Sequence, residues 1–156
     1  MPRSGARLAV CSLALVGLVL GPRSSAAQEP PQEKPAETGK LAVSIQYTGK
    51  GAVDSDHRIW IWAFDTPNIS ASSMPIAIAS LSENGGTNKF FGLPKEVYLA
   101  MAYDEKGGYD GSMGPPSPGT PLAIHGMTPE GTGSPVSTGG DDAVLKTSFD
   151  DSVRMP

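Results

Sequence analysis

Three groups of side chains carry most of the chemistry this sequence could do. Trp60, Trp62 and Phe64 recur at every second position of RIWIWAF, residues 58–64. In an extended strand that spacing puts all three rings on one face. There they either pack under a second layer or form an open aromatic platform for a carbohydrate or protein partner. Tyr109, further along, is the aromatic residue that would join them as a ligand-binding residue.

The second group is Asp104, Glu105 and Asp110, in the stretch DEKGGYDG. Calcium takes about six to eight oxygens from acids on a turning loop, so these carboxylates are the candidate calcium ligands. Lys106 and Gly108 stand where the calcium-loop pattern has acids, and the plain alternative is a solvated Gly-rich turn. The third group is His125 and Met127. Imidazole plus thioether suits Cu(I), with Met113 and Met155 as further thioethers. The plain alternative is a loop histidine beside a methionine that fills a gap in the core.

Catalytic sets are missing from the sequence. It holds two histidines, His57 and His125, and no Gly-x-Ser-x-Gly elbow. It has no His-Glu-x-x-His and no Gly-Lys-Ser/Thr phosphate loop. Asp141-Asp142 and Asp150-Asp151 are chain neighbours, which on a strand point to opposite faces and make poor acid–base pairs. The chain reads as not an enzyme, and no cofactor is called for beyond the calcium option. Asn68-Ile69-Ser70 fits a glycosylation acceptor.

The elements that must position these groups are short and β-like. KLAVSIQY (40–47) alternates, with Leu41, Val43, Ile45 and Tyr47 on one face. RIWIWAF is apolar on both faces and suits a central strand. PIAIASL (75–81), TNKFF (87–91), EVYLAMAY (96–103), residues 121–125 and AVLKTSF (143–149) complete seven strands. EVYLAMAY sets Val97, Leu99 and Met101 on one face and Tyr98, Ala100 and Ala102 on the other. Seven short strands with turn signals between them predict an antiparallel β-sandwich of one domain. Residues 65–74 could hold a single helical turn. Two long loops take the remaining Gly and Pro: nine of the 18 residues in 104–121, and seven of the 16 in 126–141. Loops of that length in a compact domain are functional or mobile.

The N-terminus reads as an export signal. Arg3 and Arg7 precede a 13-residue uncharged apolar run, Leu8 to Leu20, and Ser25-Ala26-Ala27 offers a small-residue cleavage site. The run is short of the roughly 20 residues that span a bilayer. The expected organisation is a signal peptide at 1–27, a charged, Pro-containing linker at 28–38 and a β-sandwich domain at 39–156, placed in the periplasm or secreted. Cleavage removes three arginines and no acid, so nine Lys and Arg face 16 Asp and Glu and the net charge falls from −4 to −7. That argues against nucleic acid and against anionic membrane surfaces, and no stable membrane insertion is expected after cleavage. The sole cysteine, Cys11, leaves with the signal, so stability must come from an apolar core rather than disulfides.

One stretch resembles a known family. Phe90-Phe91-Gly92-Leu93-Pro94-Lys95-Glu96-Val97-Tyr98, continuing to Tyr103-Asp104, is similar to the Phe-x-x-Leu-Pro-x-Gly-x-Tyr segment of carboxypeptidase-regulatory-like and transthyretin-like β-sandwich domains. Gly107, Gly108, Asp110, Gly111 and Gly114-Pro115 follow as in related exported bacterial domains. The resemblance covers about residues 39–156 and implies an Ig-like or transthyretin-like sandwich. Lys95-Glu96 stand where the family has its turn glycine. The ending Val153-Arg154-Met155-Pro156 lacks the Tyr-Arg-Gly-Ser of the hydroxyisourate-hydrolysing branch, so that activity is not carried over. Physically, Gly92 and Pro94 should close a tight turn between two strands. Tyr98 should then bury its ring and reach a backbone partner. The expected function is an exported non-catalytic binding or accessory module, with an exported metal-binding protein as the alternative.

Overall fold

The computed structural model describes residues 39–111, 114–139 and 143–156. The expected signal segment and linker, Met113 and the Asp141-Asp142 pair lie outside the described residues. Eight strands follow one another: β1 (Gly39–Tyr47), β2 (Ile59–Phe64), β3 (Ala77–Leu81), β4 (Thr87–Leu93), β5 (Glu96–Tyr103), β6 (Leu122–Ile124), β7 (Val136–Ser137) and β8 (Val144–Phe149). The described residues contain no helix, so the class is all-β. The helical turn expected within 65–74 is replaced by a serine turn, in which Ser73 N–H donates to Ser70 O at 3.0 Å.

Two sheets form. One has the order β4-β1-β8; the other runs β3-β2-β5-β6, with β7 pairing the start of β5. Alternation decides what lies between them. Leu41, Val43, Ile45 and Tyr47 of β1 share one core with Ile59, Ile61 and Ala63 of β2 and with Val97, Leu99, Met101 and Tyr103 of β5. Each fully buried Val, Leu, Ile or Met among them is worth about 1.5–3 kcal/mol. The strand pairs are antiparallel except β1 with β8, which run parallel from Ala42↔Val144 to Tyr47↔Phe149.

The segment that resembles the family folds differently from the expected hairpin. β4 and β5 do not pair with each other, because Pro94-Lys95 carries the chain from one sheet to the other. Gly39 faces Leu93 while Lys40 faces Phe91, which leaves Gly92 as an extra residue at φ 72°. Glycine meets no steric cost at such a bulge. Thr138, fully buried, fastens the corner. Its N–H donates to Lys95 O at 2.9 Å, its hydroxyl donates to Pro94 O, and its carbonyl accepts from Lys40 N–H at 3.0 Å.

The buried tyrosine expected at position 98 is Tyr103 instead. Its hydroxyl donates to Ala52 O at 2.9 Å, and its ring stacks on Tyr47 with centroids 4.3 Å apart. Tyr98 points to the other face of the same strand, because residues 98 and 103 differ by an odd number of steps. It packs there, half-buried, against the tryptophan strand.

Candidate functional site

Trp60, Trp62 and Phe64 point away from the main core, on the outer face of the β2 sheet. They are nevertheless 8 %, 6 % and 5 % exposed. Of the two options for this row, the structure takes the covered one. The rings form a second small core with Ala100 and Ala102, roofed by Ile69, Tyr98, Tyr109, Leu122 and Ile124. Two of the roofing residues come from loops, because the sheet has no second layer of secondary structure on that side. The loop that carries Ile69 is also tied to the loop between β6 and β7: Gly133 N–H donates to Pro67 O at 3.0 Å. Loops therefore cover this face of the sheet, the 104–121 loop through Tyr109 and the loop after β2 through Ile69.

Tyr109 is the centre of this roof. Its ring meets Trp60 edge-on at 5.3 Å and Trp62 at 6.1 Å. Two bonds hold it: its N–H donates to Asp104 Oδ2 at 2.8 Å, and its hydroxyl donates to Gly114 O. Burial, followed by the charges of Asp110 and Asp104, raises the Tyr109 pKa, which keeps the hydroxyl a donor. Asp104 is itself buried and its N–H donates to Arg58 O at 2.9 Å, so the loop leaves β5 along a fixed path.

Between this loop and the sheet lies a cavity of about 420 Å³. Trp60, Asp104, Lys106, Tyr109, Ser117 and Thr120 are among its lining residues, as is Asp110. The lining combines aromatic surface, both signs of charge and hydroxyls. Trp60 contributes one more feature. Its Nε1–H is buried and has no hydrogen-bond partner among the described residues. A buried donor left unpaired costs about 1–3 kcal/mol, and such groups are rare in native folds.

The metal candidates fare differently. Asp104 Oδ2 is engaged by Tyr109, Glu105 Oε2 is held by Arg154 at 2.8 Å, and Asp110 is exposed. Among the described residues no three His, Cys, Asp or Glu side chains come together to hold a metal ion. Asp104 and Asp110 line one cavity, whereas Glu105 is paired with Arg154. His125 sits in the turn after β6. Its N–H donates to Leu99 O at 2.9 Å and its carbonyl accepts from Ser134 N–H at 3.0 Å. Met127 is half-exposed beyond it.

Several residues near the site had not been singled out by type or spacing. Asp54 Oδ1 accepts from the N–H groups of Asp56 and His57 and meets His57 Nδ1 at 3.0 Å. Those hydrogen bonds, the His57 backbone first, lower the Asp54 pKa. The Asp-x-x-His spacing before a strand was the available signal, since Asp favours such turns. Arg154 fastens the base of the loop. Its Nη1 donates to Glu105 Oε2 at 2.8 Å and to Gly119 O at 2.7 Å, one residue at each end of the excursion. Val153 and Met155 then bond Leu122, Gly119 and Thr120. Lys106, Ser117 and Thr120 carried no signal beyond lying in a loop.

No helix among the described residues is long and apolar enough to cross a membrane. No protein-family model, curated protein or solved structure matches this chain.

Proposed function

We propose that the chain is an exported, non-catalytic binding module of the carboxypeptidase-regulatory-like or transthyretin-like kind, which takes a saccharide in the cavity between Trp60 and the 104–120 loop. The observation that carries this reading is the cavity lining, which sets the Trp60 indole beside Asp104, Lys106, Ser117 and Thr120. Binding sites are concave surfaces with aromatic walls and a few placed polar groups. Saccharides offer both what an indole edge contacts and what carboxylates, an ammonium and hydroxyls bond. The role of the β framework is to hold Trp60 rigid while the loop supplies the polar groups.

The test is a glycan array followed by calorimetric titration of each hit, with tryptophan emission recorded in parallel. Binding that shifts the emission and is lost in Lys106→Ala supports the proposal. An array without hits, or hits that leave the emission and the Lys106→Ala affinity untouched, rejects it. Mass spectrometry of the bound glycan after prolonged incubation checks the non-catalytic part, and a cleaved product rejects that.

A further inference from the structure

β3 ends its sheet: its one neighbour is β2, from Ile59↔Leu81 to Ala63↔Ala77. Alternate residues of an edge strand turn their N–H and C=O groups outward. Among the described residues, nothing bonds to β3 from that side. Natural edges are usually guarded by lysine, an internal proline or a strong bulge. β3 reads AIASL and has none of the first two. Its outer-face residue Ile78 is 45 % exposed, and Ile76 and Met74 just before it are 44 % and 85 % exposed.

Charge decides which occupant fits. From Thr66 to Ser82 there are seventeen residues and no charged side chain, in a chain with 16 acids against 12 bases. A charged partner finds nothing here to pair with. Two copies of this chain, which repel elsewhere, meet along this strip without like charges facing. The Ile/Ala alternation also complements itself. A two-fold axis normal to the sheet keeps both outer faces on one side, so the isoleucines of the two copies come together there.

We infer that β3 is a self-association edge, across which a second copy adds its own β3 antiparallel to join two five-stranded sheets into one. The contact is small and uses main-chain bonds for affinity, so it forms a weak, reversible dimer.

Sedimentation velocity of the whole protein tests this. The expected result is a dimer at about 100 µM that dissociates on dilution to about 1 µM, a span of roughly 3 kcal/mol. Ile78→Lys, which restores a guard, should raise the dissociation constant at least about ten-fold. Phe91→Lys, on the solvent face of the other sheet, should leave it unchanged. Hydrogen exchange at the β3 amides, slower at high concentration, locates the contact without any substitution. A monomer at 100 µM overturns the inference. So does a dimer that a folded Ile78→Lys retains, that Phe91→Lys abolishes, or that leaves β3 exchange independent of concentration.

Discussion

Tyr109 stands edge-on over Trp60 with ring centroids 5.3 Å apart, and it closes an aromatic row that the strand geometry alone leaves open. Edge-to-face pairs add about 0.5–1.5 kcal/mol beyond the area they bury. Tyr109→Ala should therefore lower stability by about 1–3 kcal/mol. It should also make tryptophan emission more accessible to iodide quenching, measured against the unchanged protein. Tyr109→Phe keeps the ring and should leave quenching near its original level. Equal quenching in the alanine variant would show that the roof does not depend on this ring.

Two loop glycines should respond differently to alanine. Gly108 and Gly111 both have positive φ, 85° and 77°. A side chain there costs about 1–2 kcal/mol for the left-handed backbone alone. At Gly108 a Cβ meets nothing within 4 Å, whereas at Gly111 it falls 2.3 Å from Trp60 Cζ3. Gly111→Ala should thus cost about 1–3 kcal/mol more than Gly108→Ala, and should displace the loop and weaken any ligand bound at Trp60. Chemical denaturation of the two variants side by side checks the difference.

Asn84, just before β4 begins, extends the ladder along β1. Its Oδ1 accepts from Tyr47 N–H at 2.7 Å and its Nδ2 donates to Tyr47 O at 2.8 Å, so one carboxamide stands in for a strand residue. Asn84→Ala removes both bonds and should lower stability by about 1–3 kcal/mol. Asn84→Asp keeps the acceptor but loses the donor. It should fall between the two in urea denaturation.

Alkaline pH should unfold the protein through Tyr47. Burial above all, with the negative charge of Asp151 next, pushes its pKa from 10.0 up to about 12. A folded pKa above the unfolded one means that the unfolded chain loses its proton first. The stabilisation is then complete below about pH 10 and declines as pH rises from there toward 12. Tyr47→Phe should flatten that decline. Tyrosinate absorbance at 295 nm, followed together with far-UV dichroism, measures both.

The strands were legible because apolar residues alternate in them. Leu41, Val43 and Ile45 could face only one way, and the seven expected strands are all present. β7 is two residues long and too short for any period. The corner at Pro94-Lys95 looked like a hairpin because local residues encode a turn, not which sheet the next strand joins. That a loop would cover the Trp60 row was equally hidden. Spacing put the three rings together, but the contact with Tyr109 spans 49 positions, and only the folded path of the 104–120 loop creates it. The candidate ligands Asp104, Glu105 and Asp110 are close in sequence, but spacing did not show that Tyr109 and Arg154 would take up Asp104 and Glu105.

The parallel pairing of β1 with β8 bears on the order in which the domain can be made. The first strand of the core gains its second neighbour from residues about a hundred positions later. Until Val144–Phe149 has emerged, β1 has a bare flank and the smaller sheet has two strands. Strand pairing across such a separation is slow because loop closure comes before any contact rewards it. The smaller sheet is therefore completed late, when β8 closes the open flank of β1.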